Sequence, residues 1–323
     1  MALPTESGKT RHWADLTERG TMLSLRFMLA VYEISGRWLF RPFAFLVVVY
    51  FFLSSSLARR ASREYLLRVW SHTRMTHAEG RSYLQRRPTI WTSVRHFFHF
   101  SEAILDKLAA WKGDIHEDKI DYVNKELFEQ RYADGKGGLW ITSHIGNMEV
   151  CRAISQKQRD FKMTVLVHTR HAKNFNRLLH QVDPENSIEL LEVSEFNVAS
   201  AMLLQERISK GQFVAIVGDR VSVNDRKRVT QCEFIGKQAN FPLGPFMLAA
   251  LLDCPVGTIF CVRKGKRFHM VIDDLPGLQG CSREQRDQTI KHAVETYATR
   301  LEDLCLQYPL QWFNFFGFWD QSD

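Results

Sequence analysis

The sequence has no pair of cysteines at C-x-x-C spacing, no P-loop, no G-x-G-x-x-G turn and no G-x-S-x-G elbow. These absences exclude a thioredoxin-type redox motif, a Walker-type nucleotide site, a dinucleotide fingerprint and a serine-hydrolase nucleophile. Six cysteines are present, Cys151, Cys232, Cys254, Cys261, Cys281 and Cys305, scattered and mostly within apolar runs. Such scatter argues against a disulfide framework and predicts reduced core thiols, as on the cytosolic side of a membrane. The histidine pairs His96/His99 and His168/His171 lack a matching set of Cys, Asp or Glu, so no metal and no cofactor is expected. There is no helix-turn-helix or zinc signature to support a nucleic-acid partner. Internal repeats and low-complexity linkers are missing too. Polar residues from Thr5 to Gly20 open the chain, and no small-residue cleavage site follows a short apolar core, so no cleavable leader is expected.

Long apolar runs are also scarce. The most hydrophobic stretch, 43–53, extends uncharged through residue 57, between Arg41 and Arg59-Arg60. That is shorter than the roughly 20 residues a membrane span needs. It fits an interfacial or partly inserted helix whose flanking arginines snorkel, or a span if residues 38–40 join it; a buried core helix is the bland alternative. Arg59, Arg60, Arg63, Arg68, Arg74, Arg81, Arg86 and Arg87 follow with no lysine among them. They form either a solvated helical face or a basic collar at headgroup level. The net charge of +7 favours anionic partners of some kind, whether acidic lipid, nucleic acid or an acidic carrier protein.

With 323 residues the chain can hold one large α/β domain plus an appended segment. Residues 1–60 are expected to anchor it to a membrane, and 61–323 to form the catalytic domain. Helical spacing is read over about 91–112 and 117–133, and Gly135-Lys-Gly-Gly138 then breaks the chain. Strand-type runs at 139–143, 163–168, 188–193, 212–217, 256–262 and 268–272 follow. They alternate with helices near 147–158, 172–182, 196–210 and 244–252, and a long helix, 283–307, closes the pattern. The fold class predicted is α/β, with a mostly parallel central sheet and helices on both faces.

The chemistry-bearing segment is Leu139-Trp-Ile-Thr-Ser-His144-Ile-Gly-Asn-Met-Glu149. It presents His144 just beyond the carboxyl end of a strand, where parallel sheets place ligands. Gly146 permits a tight turn, and Glu149 is expected to fold back onto the imidazole. A carboxylate on one ring nitrogen fixes the tautomer and makes the other a better base. Spacing alone does not separate such a pair from a structural histidine.

His144-Ile-Gly-Asn-Met-Glu149 resembles the H-x4-D/E signature of the lysophospholipid acyltransferase superfamily, in the form carried by the bacterial lipid A secondary acyltransferases. Further blocks resemble that family in order: Arg170 with Asn174, Gly218-Asp219-Arg220, Phe234-Ile-Gly236 with Phe241-Pro-Leu-Gly-Pro245, Cys254-Pro-Val256, and Tyr308-Pro-Leu-Gln-Trp312. Within it the chain looks most like enzymes of glycolipid and aryl-polyene clusters. The resemblance implies an O-acyltransferase at the cytoplasmic face of the bacterial inner membrane. It would take an acyl carrier protein or acyl-CoA thioester as donor and a lipid or glycolipid hydroxyl as acceptor.

Departures exist. Thr169 and His171 replace the family's Tyr and Pro around Arg170, and aromatic residues through Trp319 replace a basic ending. Those departures put a lipid A acceptor in doubt. Arg170 and Arg220 suit a phosphate of donor or acceptor, though either could be a structural partner of a carboxylate. Asp219 is expected to orient Arg220, and Asn174 to hold the acceptor or only cap a helix. Gly244 is a candidate oxyanion donor. A lipid-binding protein without catalysis and a thioesterase on the same site are the competing readings.

Overall fold

Every residue of strand β2 (Gly138–Thr142) is buried, and its side chains alternate between two cores. Leu139 and Ile141 join one and Trp140 the other, as the period of two in a strand requires. A strand covered on both faces must lie inside a sheet with helices above and below. The computed structural model describes residues 41–42, 44–76, 84–151, 161–167, 188–192, 197–221 and 227–320.

In that structure β2 belongs to a seven-stranded sheet with β1 (Ile120–Val123), β3 (Met163–Val167), β4 (Ile188–Glu192), β5 (Phe213–Val217), β8 (Val256–Lys264) and β9 (Arg267–Asp274). The order is β1-β9-β8-β2-β5-β3-β4. All neighbours run parallel except β8 and β9. The predicted mostly parallel α/β sheet is therefore present.

Seven α-helices are found among the described residues: α1 (Ala44–Ser54), α2 (Ser56–Met75), α3 (Ile90–Trp111), α4 (Lys125–Ala133), α5 (Val198–Ser209), α6 (Gly244–Leu252) and α7 (Arg286–Gln307). Helix α7 buries Ile290, Val294, Tyr297, Leu301 and Leu304, the stripe its spacing predicts, in the core shared with α6, and Cys305 beside them. On the other face Leu105, Leu108 and Trp111 of α3 and Phe128 of α4 enclose Trp140, Phe161 and Phe213. Five of the six cysteines are buried and all six are free, which agrees with the core-thiol reading.

One local reading is corrected. Residues 120–123, taken as helical, form edge strand β1, paired in parallel with β9 from Ile120↔Phe268 to Val123↔Val271. The backbone of Asn124, in the left-handed region at φ 57, separates this strand from α4. The Phe234-Ile-Gly236 block is the turn of a hairpin, β6 (Val229–Phe234) with β7 (Lys237–Pro242). Ile235 and Gly236 both have positive φ, 51 and 72, the twist a two-residue hairpin loop needs. Ile-Gly lacks the Asn-Gly signal that announces such a turn, and Ile235 accepts this conformation while buried, its N–H bound by the Glu302 carboxylate.

Helices α1 and α2 meet at 94°, and a cut at residue 60 falls inside α2, whose Tyr65, Leu66 and Val69 enter the main core. Helix α1 buries Ala44, Val48 and Phe52 against α3 and leaves Phe45, Leu46, Val47, Tyr50, Phe51 and Leu53 exposed. Both of its faces are apolar. Among the described residues no single helix is long and apolar enough to cross a bilayer.

Candidate active site

Strand register sets up the site. Strands β2 and β5 are parallel neighbours with Thr142 opposite Val217. Two residues further on, each chain leaves the sheet at its carboxyl edge, and His144 emerges beside Asp219. His144 Nδ1 lies 2.8 Å from Asp219 Oδ1, and the His144 backbone N–H donates to Oδ2 over 3.0 Å. Oδ2 also accepts Trp312 Nε1–H at 2.9 Å and Asn314 Nδ2–H at 3.1 Å. Asp219 is fully buried, whereas the His144 side chain keeps 29% of its surface exposed. A substrate can reach the imidazole but not the carboxylate.

The loop after His144 is held on three sides. Gly146 adopts φ 64, and a β-carbon there would overlap the Cys261 carbonyl oxygen. Its N–H donates to Gln311 O at 2.8 Å, Asn147 N–H donates to Cys261 O at 2.8 Å, and Asn147 Nδ2–H to Ala103 O at 3.1 Å. The Phe313 N–H donates to His144 O at 3.0 Å. Strand β8, helix α3 and the segment 311–314 thus clamp the turn.

Glu149 does not reach the imidazole, which corrects the expected His144/Glu149 pair. The residue sits in a 3-10 turn, Met148–Cys151, and its N–H is capped by Asn147 Oδ1 at 3.1 Å. From there the carboxylate points to α3, accepting Trp111 Nε1–H at 2.9 Å and Lys107 Nζ at 3.1 Å. The reversal at Gly146 separates two side chains that the linear spacing had suggested would meet. Glu149 fastens the loop to α3, and Asp219 is the histidine's carboxylate.

Asp219 was expected to orient Arg220; its hydrogen bonds go instead to His144, Trp312 and Asn314. Arg220 donates from Nε to Asn314 Oδ1 at 2.6 Å and from Nη2 to Phe313 O at 3.0 Å, and lies 5.6 Å over the Phe316 ring. Those nitrogens are committed to the chain's own C-terminal segment. Gly244 opens α6 and, among the described residues, makes no hydrogen bond to His144 or Asp219. Arg170 and Asn174 lie outside the described residues.

Missed in the sequence were Trp312, Phe313 and Asn314 as partners of the pair. The Pro309-Leu-Gln-Trp312 ending, which resembles the family's, was the available signal, since it marks the point where the chain turns back toward the sheet edge.

The electrostatics follow from this packing. Burial raises the Asp219 pKa, but the His144 charge, its hydrogen bonds and Arg220 outweigh it and bring the carboxyl to about 2. Burial lowers the His144 pKa and Arg220 lowers it further, while Asp219 opposes both; the net shift is down from 6.5. Arg220 itself falls to about 10 through burial, with Asp219 opposing. An ionised carboxylate only accepts, so Nδ1 carries the proton and Nε2 holds the lone pair. Near neutral pH the imidazole is uncharged and poised as a base.

The family whose description is Bacterial lipid A biosynthesis acyltransferase matches residues 84–320, which include every group of this site. Comparison with curated proteins returns no match.

His144 should therefore titrate below 6.5 as the Nδ1–H tautomer in histidine-selective ¹⁵N NMR. Asp219→Asn removes the one influence that raises this pKa, so the midpoint should fall further and the Nδ1–H signature should weaken. An unchanged midpoint and tautomer in Asp219→Asn would contradict the assignment.

Proposed function

The chain belongs to the bacterial lipid A biosynthesis acyltransferase family, and from this membership and the His144–Asp219 pair we propose that it moves an acyl group from a thioester to a hydroxyl of a lipid or glycolipid, with His144 Nε2 as general base. One observation carries the reading: a partly exposed imidazole whose other nitrogen is fixed by a buried, ionised carboxylate. Nε2 takes the proton of the acceptor hydroxyl as its oxygen attacks the thioester carbonyl carbon. A tetrahedral oxyanion forms, and its collapse breaks the carbon–sulfur bond. The departing thiolate recovers the proton from the imidazolium, which Asp219 stabilises while it lasts. The products are an ester and a free thiol, and no electrons change hands between substrates.

A base of this kind supplies about 10²–10⁴-fold. His144→Ala should abolish transfer, and Asp219→Asn should lower kcat by about 10²–10⁴-fold, since it forfeits both charge and tautomer. Glu149→Gln, which keeps the shape of the α3 tether, should cost less than about tenfold. The wild-type rate should rise with pH through an acid limb below 6.5 and then level off, because only the neutral imidazole accepts a proton. The check is transfer of labelled acyl chain by folded, purified variants. Retention of a tenth of the activity by His144→Ala would overturn the mechanism.

The lipid side of the reading rests on α1. Its outward face is apolar, and at the start of α3 Ile90 and Trp91 are also 65% and 72% exposed. Arg41 pairs with Glu102, Phe45 contacts Phe98 and Phe52 contacts Phe97, so α1 packs across the middle of α3. Monomeric soluble proteins rarely expose so many large apolar side chains along one helix. We assign this face to a bilayer, with Arg59 and Arg60 at headgroup level and the site on the cytoplasmic side. Replacing Leu46, Tyr50, Leu53 and Trp91 by serine should release the protein from anionic vesicles in a flotation assay. High salt alone should not, because apolar burial is not screened. Recovery of the wild type in the soluble fraction at low salt would end this assignment.

A carrier-protein thioester is the donor class that best fits a chain of charge +7. Arg86 and Arg87 are exposed, and Arg81 lies outside the described residues. Arg86→Glu together with Arg87→Glu should raise KM several-fold for an acidic carrier-protein donor and leave acyl-CoA nearly unaffected. Equal use of both donors by the wild type, unchanged in the double variant, would refute it.

A further inference from the structure

The segment 311–314 lies across the mouth of the sheet, and its side chains and backbone reach the His144–Asp219 pair from behind. Gln311 is stitched to β8 by its own amide, which accepts Arg263 N–H at 2.7 Å and donates to Arg263 O at 2.8 Å. Trp312 pairs with Ile145 as an isolated antiparallel bridge. From this fixed strap the indole N–H and the Asn314 amide both donate to Asp219 Oδ2. The Phe313 N–H holds the His144 carbonyl.

The strap is anchored in turn by a histidine with no other evident task. His96, on α3, is completely buried and donates from Nε2 to Trp312 O at 2.9 Å. Its Nδ1 then accepts from Ser62 Oγ at 3.0 Å, and Ser62 meets Ser93 at 2.7 Å. Burial brings the His96 pKa down to about 3, so the ring stays neutral and this pattern of donors does not change near neutral pH. Trp312 also packs against Tyr65, Phe234 and Phe318, with ring centroids 4.8–5.4 Å apart. Helices α2 and α3, the hairpin and the strap therefore converge on one indole.

We infer that Trp312 and Asn314 are positioning residues of the acyl transfer, acting through Asp219 on the basicity of His144, and that His96 is the neutral anchor that holds Trp312 in place. The inference rests on the general-base reading above. Three donors on Oδ2, two of them these side chains and the third the His144 backbone N–H, spread the carboxylate charge and leave Oδ1 for the imidazole alone. Removing a donor concentrates the charge on Asp219, strengthens its attraction for the imidazolium and raises the His144 pKa. The other titratable groups facing the pair are Arg220 after β5, and Tyr297 and Cys305 from α7. Burial raises both of the latter well above their ordinary values, so they stay neutral, and Arg220 stays charged.

Trp312→Phe keeps an aromatic ring and removes the N–H with part of the indole; Asn314→Leu keeps the branching and deletes the second side-chain donor, together with the oxygen that accepts from Arg220 Nε. Each should lower kcat roughly 10–100-fold, the range for losing a hydrogen bond to a charged group, with the donor KM changed less than twofold. The acid limb of the pH–rate profile should move to higher pH in both. His96→Leu should reduce kcat as well, and His96→Gln, whose amide can still donate to Trp312 O, should restore most of it. A purely structural strap would lower melting temperature and activity without moving the acid limb. Should Trp312→Phe fail to fold, Asn314→Leu decides the matter alone.

If His144→Ala and Asp219→Asn are inactive while Trp312→Phe and Asn314→Leu keep the wild-type kcat and acid limb, this inference fails and the general-base reading survives. Activity in His144→Ala would remove the general-base reading itself.

Discussion

A carboxylate without solvent contact governs the site. Burying an isolated charge is costly enough that the group normally neutralises. Asp219 stays ionised because four donors converge on its two oxygens and Arg220 stands nearby. Those donors come from the end of β2 and from the C-terminal strap, so two remote parts of the sequence must be in place before the charge is tolerable. Leaving any of them unmade would expose the folded state to the full desolvation penalty of a charged group. The chemistry and the closing of the fold are therefore coupled.

Much of the geometry follows from the parallel sheet. Adjacent parallel strands in register bring the residues after their carboxyl ends side by side, and β2 next to β5 does this for His144 and Asp219. No tight local turn is needed to join base and carboxylate. This frees the His144–Glu149 loop to do something else: Gly146 reverses it against β8, and Glu149 ties it to α3 through Trp111 and Lys107.

The sequence carried the sheet class well because strands 139–143, 163–168, 188–193, 212–217 and 256–262 are short apolar runs between helical periods. It could not carry strand order, and strand order decides which carboxylate His144 meets. Local spacing favoured Glu149, five residues away; tertiary pairing supplied Asp219, 75 residues away. Residues 120–123 went unrecognised as a strand because their partner β9 lies far along the chain. The aromatic ending is packed core, but its indole N–H and the neighbouring Asn314 amide are polar groups whose targets only the fold reveals.

Arg220 adds the last constraint. Its guanidinium holds Phe313 and Asn314 of the strap, and its charge depresses the His144 pKa that Asp219 raises. Without such a counterweight, a buried carboxylate would favour the imidazolium and reduce the fraction of enzyme able to accept a proton. A more basic imidazole would pull harder on the acceptor hydroxyl but be protonated more often before reaction. Burial and the nearby cation together outweigh the anion and keep the resting base neutral. The carboxylate contact remains for the moment when the ring becomes charged. Because Arg220 does this from the same position in which it supports the strap, movement of the strap would alter both the orientation of Asp219 and the field at His144.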